Sequence, residues 1–274
     1  VPNINFICKD TILVSYPKSG RTWLRMMLAK VLKDAGIDTD RSEMILCTHK
    51  NCGDIFKDYG KEKRIVLLIR DPGDVVVSQF RELQANKPWR LSNAPTISRF
   101  IRGIHIIEES SSGTAGIPRA KDGVRRTGIN EIIEYMNEWF VDLRSVKEYK
   151  IITYEEMKKN PFSALKEVVE FIGYACDDEH IRAAVEYGSF LNMKKIEEEL
   201  VESSNGLGLP HSESNLLRKY KGNFGKEKQP TRVRRGKVRG YLDELNENDI
   251  AYINDAKKYL LHLPLELTVR GVKY

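Results

Sequence analysis

Apolar positions fall into two kinds of run along the first half of the chain. Residues 11–16 (TILVSY) are β-rich and stop at Pro17, and 65–69 (IVLLI) are apolar without alternation. The second pattern is that of a central parallel strand covered on both faces. After residues 17–20 (PKSG) the period changes. Leu24, Met27, Leu28, Val31 and Leu32 recur at helical spacing, and Gly36 ends the run. Residues 44–48 (MILCT) and 149–154 (YKIITY) read as two more strands. Helical spacing returns at 98–109 and 129–143, in a helix ending near Gly173, and at 247–262, while Pro72 suits the first turn of a helix after the 65–69 strand. Residues 110–128 and 202–215 are turn-rich and predict loops. Strand, tight loop and helix in this order predict one α/β domain over residues 1–274, doubly wound around a central parallel β-sheet, with long helical and loop insertions.

The 274 residues suffice for a large core, and 41% hydrophobic with 31% charged residues is ordinary for a folded protein. No uncharged apolar run approaches the roughly 18 residues of a membrane span, and no signal-peptide pattern stands at the start. Four cysteines (Cys8, Cys47, Cys52 and Cys176) form no disulfide framework in so long a chain, which leads to the expectation of a reducing, cytoplasmic setting. Cys47, His49 and Cys52 lack the partner half of a zinc site, so no metal is expected. The net charge of +6 is unevenly spread: ten Lys or Arg residues and one acid, Glu227, lie between Arg218 and Arg239. Such a stretch is either a solvated basic loop or a flap over phosphates.

Two short motifs bear on chemistry. Residues 17–22 (PKSGRT) join a strand to a helix, whose N-terminal N–H groups and positive dipole end attract an anion. Gly20 permits close approach, Ser19 and Thr22 add hydroxyls, Lys18 adds a point charge and Trp23 offers a flat ring to a base. This P-loop-like phosphate-binding loop is neither G-x-G-x-x-G nor G-x-x-x-x-G-K-[ST], which argues against a dinucleotide enzyme and an ordinary kinase. The second motif is Arg70, at the carboxyl end of a buried strand, with Ser78 about two helical turns on. Arg70 could equally pair with Asp71 or Asp74.

Together these segments resemble the cytosolic-type sulfotransferases, which take a sulfuryl group from 3'-phosphoadenosine-5'-phosphosulfate (PAPS) and release 3',5'-adenosine bisphosphate (PAP). Residues 17–23 (PKSGRTW) are similar to that family's 5'-phosphosulfate loop, and 70–78 (RDPGDVVVS) to its 3'-phosphate motif. The resemblance implies that Lys18, Ser19, Gly20, Arg21, Thr22 and Trp23 hold the 5' side and the adenine. It implies that Arg70 and Ser78 take the 3'-phosphate. Residues 153–161 (TYEEMKKNP) place Tyr154 near the adenine; 189–194 (SFLNMK) bring Ser189, with Phe190 and Met193 lining the base pocket. Residues 234–236 (RRG) resemble the late R-K-G segment, through which Arg234, Arg235 and Gly236 close over the 3'-phosphate.

Sulfuryl transfer needs an in-line acceptor, a base and positive charge at the leaving phosphate. His49, after the second strand, matches the family's catalytic histidine, with Lys18 supplying charge; His211 is the reserve, and His105 and His262 fall in helical patterns. Cys47 stands where the family has a lysine, Arg21 where it has a threonine, and Tyr241 near its usual tryptophan. The acceptor is expected to be a small-molecule alcohol, phenol, amine or sugar held by segments 81–128 and 195–217, near Phe80, Trp89, Phe100 and His211. No metal and no nucleic acid are expected to take part, and the oligomeric state is open. An ATP- and Mg²⁺-dependent phosphoryl-transfer enzyme is the competing enzyme class. A non-enzymatic nucleotide or nucleic-acid binder is the other.

Overall fold

The computed structural model describes residues 10–36, 46–86, 88–92, 94–103, 128–203 and 233–261. The strands are β1 (Thr11–Ser15), β2 (Leu46–Thr48), β3 (Arg64–Ile69) and β4 (Tyr149–Thr153). They form one sheet in the order β2-β1-β3-β4. β3 and β4 run parallel, from Ile65 beside Tyr149 to Ile69 beside Thr153. Ile65, Val66, Leu67 and Leu68 are fully buried, as a run without alternation requires. The protein is thus of the α/β class, with a central parallel sheet and helical insertions.

Ten α-helices lie among the described residues: α1 (Arg21–Asp34), α2 (Cys52–Tyr59), α3 (Pro72–Asn86), α4 (Ile97–Ile101), α5 (Ile129–Asp142), α6 (Tyr154–Lys159), α7 (Pro161–Phe171), α8 (Asp178–Tyr187), α9 (Phe190–Ser203) and α10 (Glu247–Lys257). Several begin on side-chain caps. Asn51, Thr96, Asn160 and Asn246 each accept an N–H of the first turn, and Pro161 sits where its missing N–H costs nothing. Tyr154 opens α6 and does not end β4, because pairing with β3 runs out at Thr153. Of the helix expected at 98–109, residues 97–101 are described; the remainder, the loop at 110–127 and residues 204–232 lie outside the described residues.

The chain divides into two compact units, one of residues 1–11, 20–46 and 154–236, the other of 12–19, 47–153 and 237–274. In the first, α1 packs on α7 and α8, and α9 joins α8. Met26, Ala29, Leu32, Met193 and Ile196 form a core cluster there, with Trp23, Tyr174, Tyr187 and Val233 against it. In the second unit, α3 and α10 both pack on α4 and α5. Phe80 and Phe100 are buried with ring centroids 5.5 Å apart, so they are core residues and not exposed pocket walls. No described helix is long and apolar enough to cross a membrane.

Candidate active site

A charged cluster lies in the second unit. Strand β1 delivers Tyr16 and then the turn of Pro17, Lys18 and Ser19, closed by the Ser19 N–H donating to the Tyr16 carbonyl at 3.4 Å. Lys18 has φ 70, in the left-handed region where a side chain crowds its own backbone. Residues held so at a cost of about 1–3 kcal/mol tend to be functional. Its carbonyl accepts Arg70 Nη1–H at 3.2 Å, and its ammonium pairs with Glu82 of α3 at 2.9 Å. Arg70 follows β3, so two segments whose bonded residues lie 52 positions apart are tied directly.

Arg70 also donates through Nη2 to the Lys237 carbonyl at 3.3 Å and lies 3.5 Å from Asp74 Oδ2. Asp74 is thereby its carboxylate neighbour, while Asp71 pairs with Lys257 of α10 at 2.5 Å. Asp74 is 4% exposed and accepts the backbone N–H groups of Arg239 (2.8 Å) and Tyr241 (3.1 Å). Burial raises its carboxyl above the ordinary range, against the pull of Arg70 and of those N–H groups. Lys257 also donates to Tyr241 Oη at 3.2 Å. Burial would lower its ammonium, but the bonds to Asp71 and Tyr241 prevail and raise it. The Tyr241 ring lies against Gly73, where an added Cβ would sit 2.9 Å from it. Ser78 is half-buried on α3, one turn before Glu82.

His49 follows β2, the neighbour of β1. Its Nδ1 lies 2.5 Å from the Ser15 carbonyl, which can only accept. Nδ1 therefore carries the proton, and the neutral ring has its lone pair on Nε2. The Lys50 carbonyl accepts from Tyr135 Oη at 3.3 Å, and the Lys50 ammonium pairs with Asp58 of α2. Tyr135 meets Tyr16 edge to face at 5.2 Å. Burial keeps the Tyr16 phenol protonated, well above its usual range. Cys47 is half-buried, and burial pushes the Cys52 thiol up to about 12, which makes it inert. His105, His211 and His262 lie outside the described residues.

An aromatic cluster lies in the first unit. Gly20 caps α1 with φ 97 and has no side chain to occupy the first-turn N–H groups, and that turn carries no acid. A Cβ on Gly20 would stand 2.6 Å from the Tyr154 ring. Tyr154 in turn meets Trp23 edge to face at 5.6 Å. Trp23 Nε1–H donates to the Gly188 carbonyl at 2.7 Å. Gly236 (φ 59) faces Phe190, whose ring would be 2.7 Å from an added Cβ. Met193 is buried in the cluster below, while Ser189 is exposed and starts α9, its Oγ accepting the Asn192 N–H at 3.4 Å. Arg21 and Thr22 are half-buried in the first turn of α1; Arg234 is half-buried and Arg235 exposed beside Gly236.

The first unit thus offers rings, closely approached glycines and a bare helix start, and the second gathers cations. Glu82, Lys257 and Gly188 were not foreseen. Glu82 alone left a signal, its i,i+4 spacing from Ser78.

Comparison with known proteins identifies the family. A sulfotransferase domain model matches residues 37–262, a stretch that starts beyond the 17–23 loop. Sulfotransferase 2A6 of Rattus norvegicus is 21% identical over 216 residues, covering 68% of this chain and 67% of its own. The 3-beta-hydroxysteroid sulfotransferase of Cavia porcellus is 24% identical over 220 residues (69% and 67%). Flavonol 3-sulfotransferase of Flaveria bidentis is 24% identical over 198 residues, 60% of this chain and 57% of that one. Among solved structures, mouse sulfotransferase SULT7A1 complexed with PAP shares the fold with TM-score 0.59 at 18% identity, over 94% of this chain and 89% of that one. Retinol dehydratase in a complex with retinol and PAP gives TM-score 0.59 at 16% identity, over 96% and 85%. The domain match takes in β2 to α10, with the Arg70 turn and His49 inside it, and on that ground the chain belongs to the sulfotransferase domain family.

Proposed function

We propose that the chain, as one sulfotransferase domain over residues 1–274, transfers a sulfuryl group from PAPS to a hydroxyl or amine of a small molecule, with His49 as general base. The observation that carries this reading is the bond from Arg70 to the Lys18 carbonyl, which joins the 5'-side loop to the 3'-phosphate turn. A ligand with both a 5' and a 3' phosphate would engage both. Trp23, Tyr154 and Phe190 provide the adenine surface, with Met193 beneath it; Arg70, Ser78 and the 234–236 segment take the 3'-phosphate. PAPS itself supplies the activated sulfuryl group. His49, its Nδ1–H held by Ser15, accepts the acceptor's proton at Nε2. Lys18 and the amides of residues 19–22 offset charge on the departing phosphate. Arg21, in place of threonine, adds charge to a loop beside which Cys47 supplies none.

Calorimetry with PAP, 5'-AMP and ATP in the absence of metal tests the donor. Tight PAP binding that needs the 3'-phosphate is expected; Mg²⁺-dependent preference for ATP would install phosphoryl transfer instead. For the base, His49→Ala should keep PAP affinity and lose roughly 10²–10⁴-fold in kcat. Near-normal turnover would remove His49 from that role.

A further inference from the structure

The loop lysine of this chain meets an acid where it is expected to meet an anionic ligand. Lys18 Nζ lies 2.9 Å from Glu82 Oε2, and both side chains are well shielded, at 10% and 19% exposure. Glu82 stands one turn beyond Ser78 on the same face of α3, so the face that would offer a hydroxyl to phosphate also presents a carboxylate. The backbone of Lys18 cannot relax away, since its carbonyl is bonded to Arg70 and its φ is 70. What can move is the four-carbon stem.

We propose that Glu82 is a positioning residue that holds the Lys18 ammonium against α3 and competes for it with the bound nucleotide. The inference rests on the donor reading above. An ammonium engaged with one carboxylate has less of its charge to offer a second anion, so Glu82 and a bound phosphate compete for it. Binding therefore draws the ammonium toward the anion, at the expense of its bond to Glu82. The carboxylate lowers nucleotide affinity in proportion, and Lys18 transmits the effect.

The test is PAP calorimetry on the full chain for wild type, Glu82→Gln, Lys18→Met and the double variant, with Glu82→Ala as a second removal of the charge. Thermal melts check folding. Glu82→Gln should bind PAP about fivefold tighter or better, the order expected for one short-range charge interaction in a largely shielded setting. That gain should shrink in the Lys18→Met background, because its route through the ammonium is gone. A purely structural Glu82 would give equal or weaker binding with a lower melting temperature, and that outcome overturns the proposal. An equal gain with and without Lys18 overturns it too, leaving simple repulsion. If wild type binds no PAP, the donor reading itself fails and takes this inference with it, whereas wild-type binding without a Glu82 effect sinks the inference alone.

Discussion

The two groups of residues, one in each unit, are built on different physics. In the first unit, surfaces are set by sterics: Gly20 against Tyr154, Gly188 against Met27 and Gly236 against Phe190, each with no room for a Cβ. In the second, they are set by charge: Lys18 with Glu82, Arg70 with Asp74, Lys257 with Asp71. A surface shaped by glycines meets its ligand as it stands. A cation already engaged must share or exchange a partner. The aromatic half should thus be insensitive to salt, and the charged half should respond to salt and to single charge changes.

The largest expected effect that would break this contrast is at Arg70. Arg70→Ala should weaken PAP binding roughly 100-fold while leaving 5'-AMP nearly unchanged, as the loss of charge-assisted hydrogen bonds to one phosphate predicts. Equal losses for both nucleotides, measured by calorimetry, would mean Arg70 only braces the loop. A smaller effect is expected at Gly20. Gly20→Ala forces a side chain into left-handed backbone and against Tyr154. It should cost about 2 kcal/mol of stability in denaturant unfolding. Its loss of PAP affinity should be the same at low and high salt; a salt-dependent loss would blur the two halves.

The smallest test lies away from the ligand residues, at Asp249 of α10. Its carboxylate accepts from Ser98 at 2.5 Å and pairs with Arg102 at 2.5 Å. Burial would raise its pKa, but these bonds prevail and hold it below the ordinary value. A depressed carboxyl stabilises the fold above its unfolded pKa of about 4, and that stabilisation is lost as pH falls through the folded value. Asp249→Asn should therefore cost about 2 kcal/mol at pH 7 and progressively less below pH 4. A constant difference across that range would show the charge to be idle.

Much of this was legible in the chain. All four strands arose from short apolar runs, because a buried parallel strand needs little else. The loop at 17–23 and the turn at 70–78 were visible as motifs since backbone geometry demands particular residues there. Helices α2, α6, α8 and α9 were not marked out: α2 and α6 are short, and the apolar positions of α8 and α9 are interleaved with charged residues. The partners of the charges were illegible for a plainer reason. Whether Arg70 faces Asp71 or Asp74, and that Lys18 faces Glu82, depends on side chains that tertiary packing brings together.

The buried carboxylate of Asp74 has a further consequence, for the order in which the chain assembles. Its two backbone donors lie 165 and 167 residues downstream, and the Asp71–Lys257 pair spans 186. Closing loops of that length costs entropy that local helices do not face, so these contacts form after most of the chain has folded. A nascent chain ending before Arg239 would carry Asp74 without either donor, beside a half-held Arg70. The contacts that hold Asp74 are thereby completed only after synthesis has passed Tyr241.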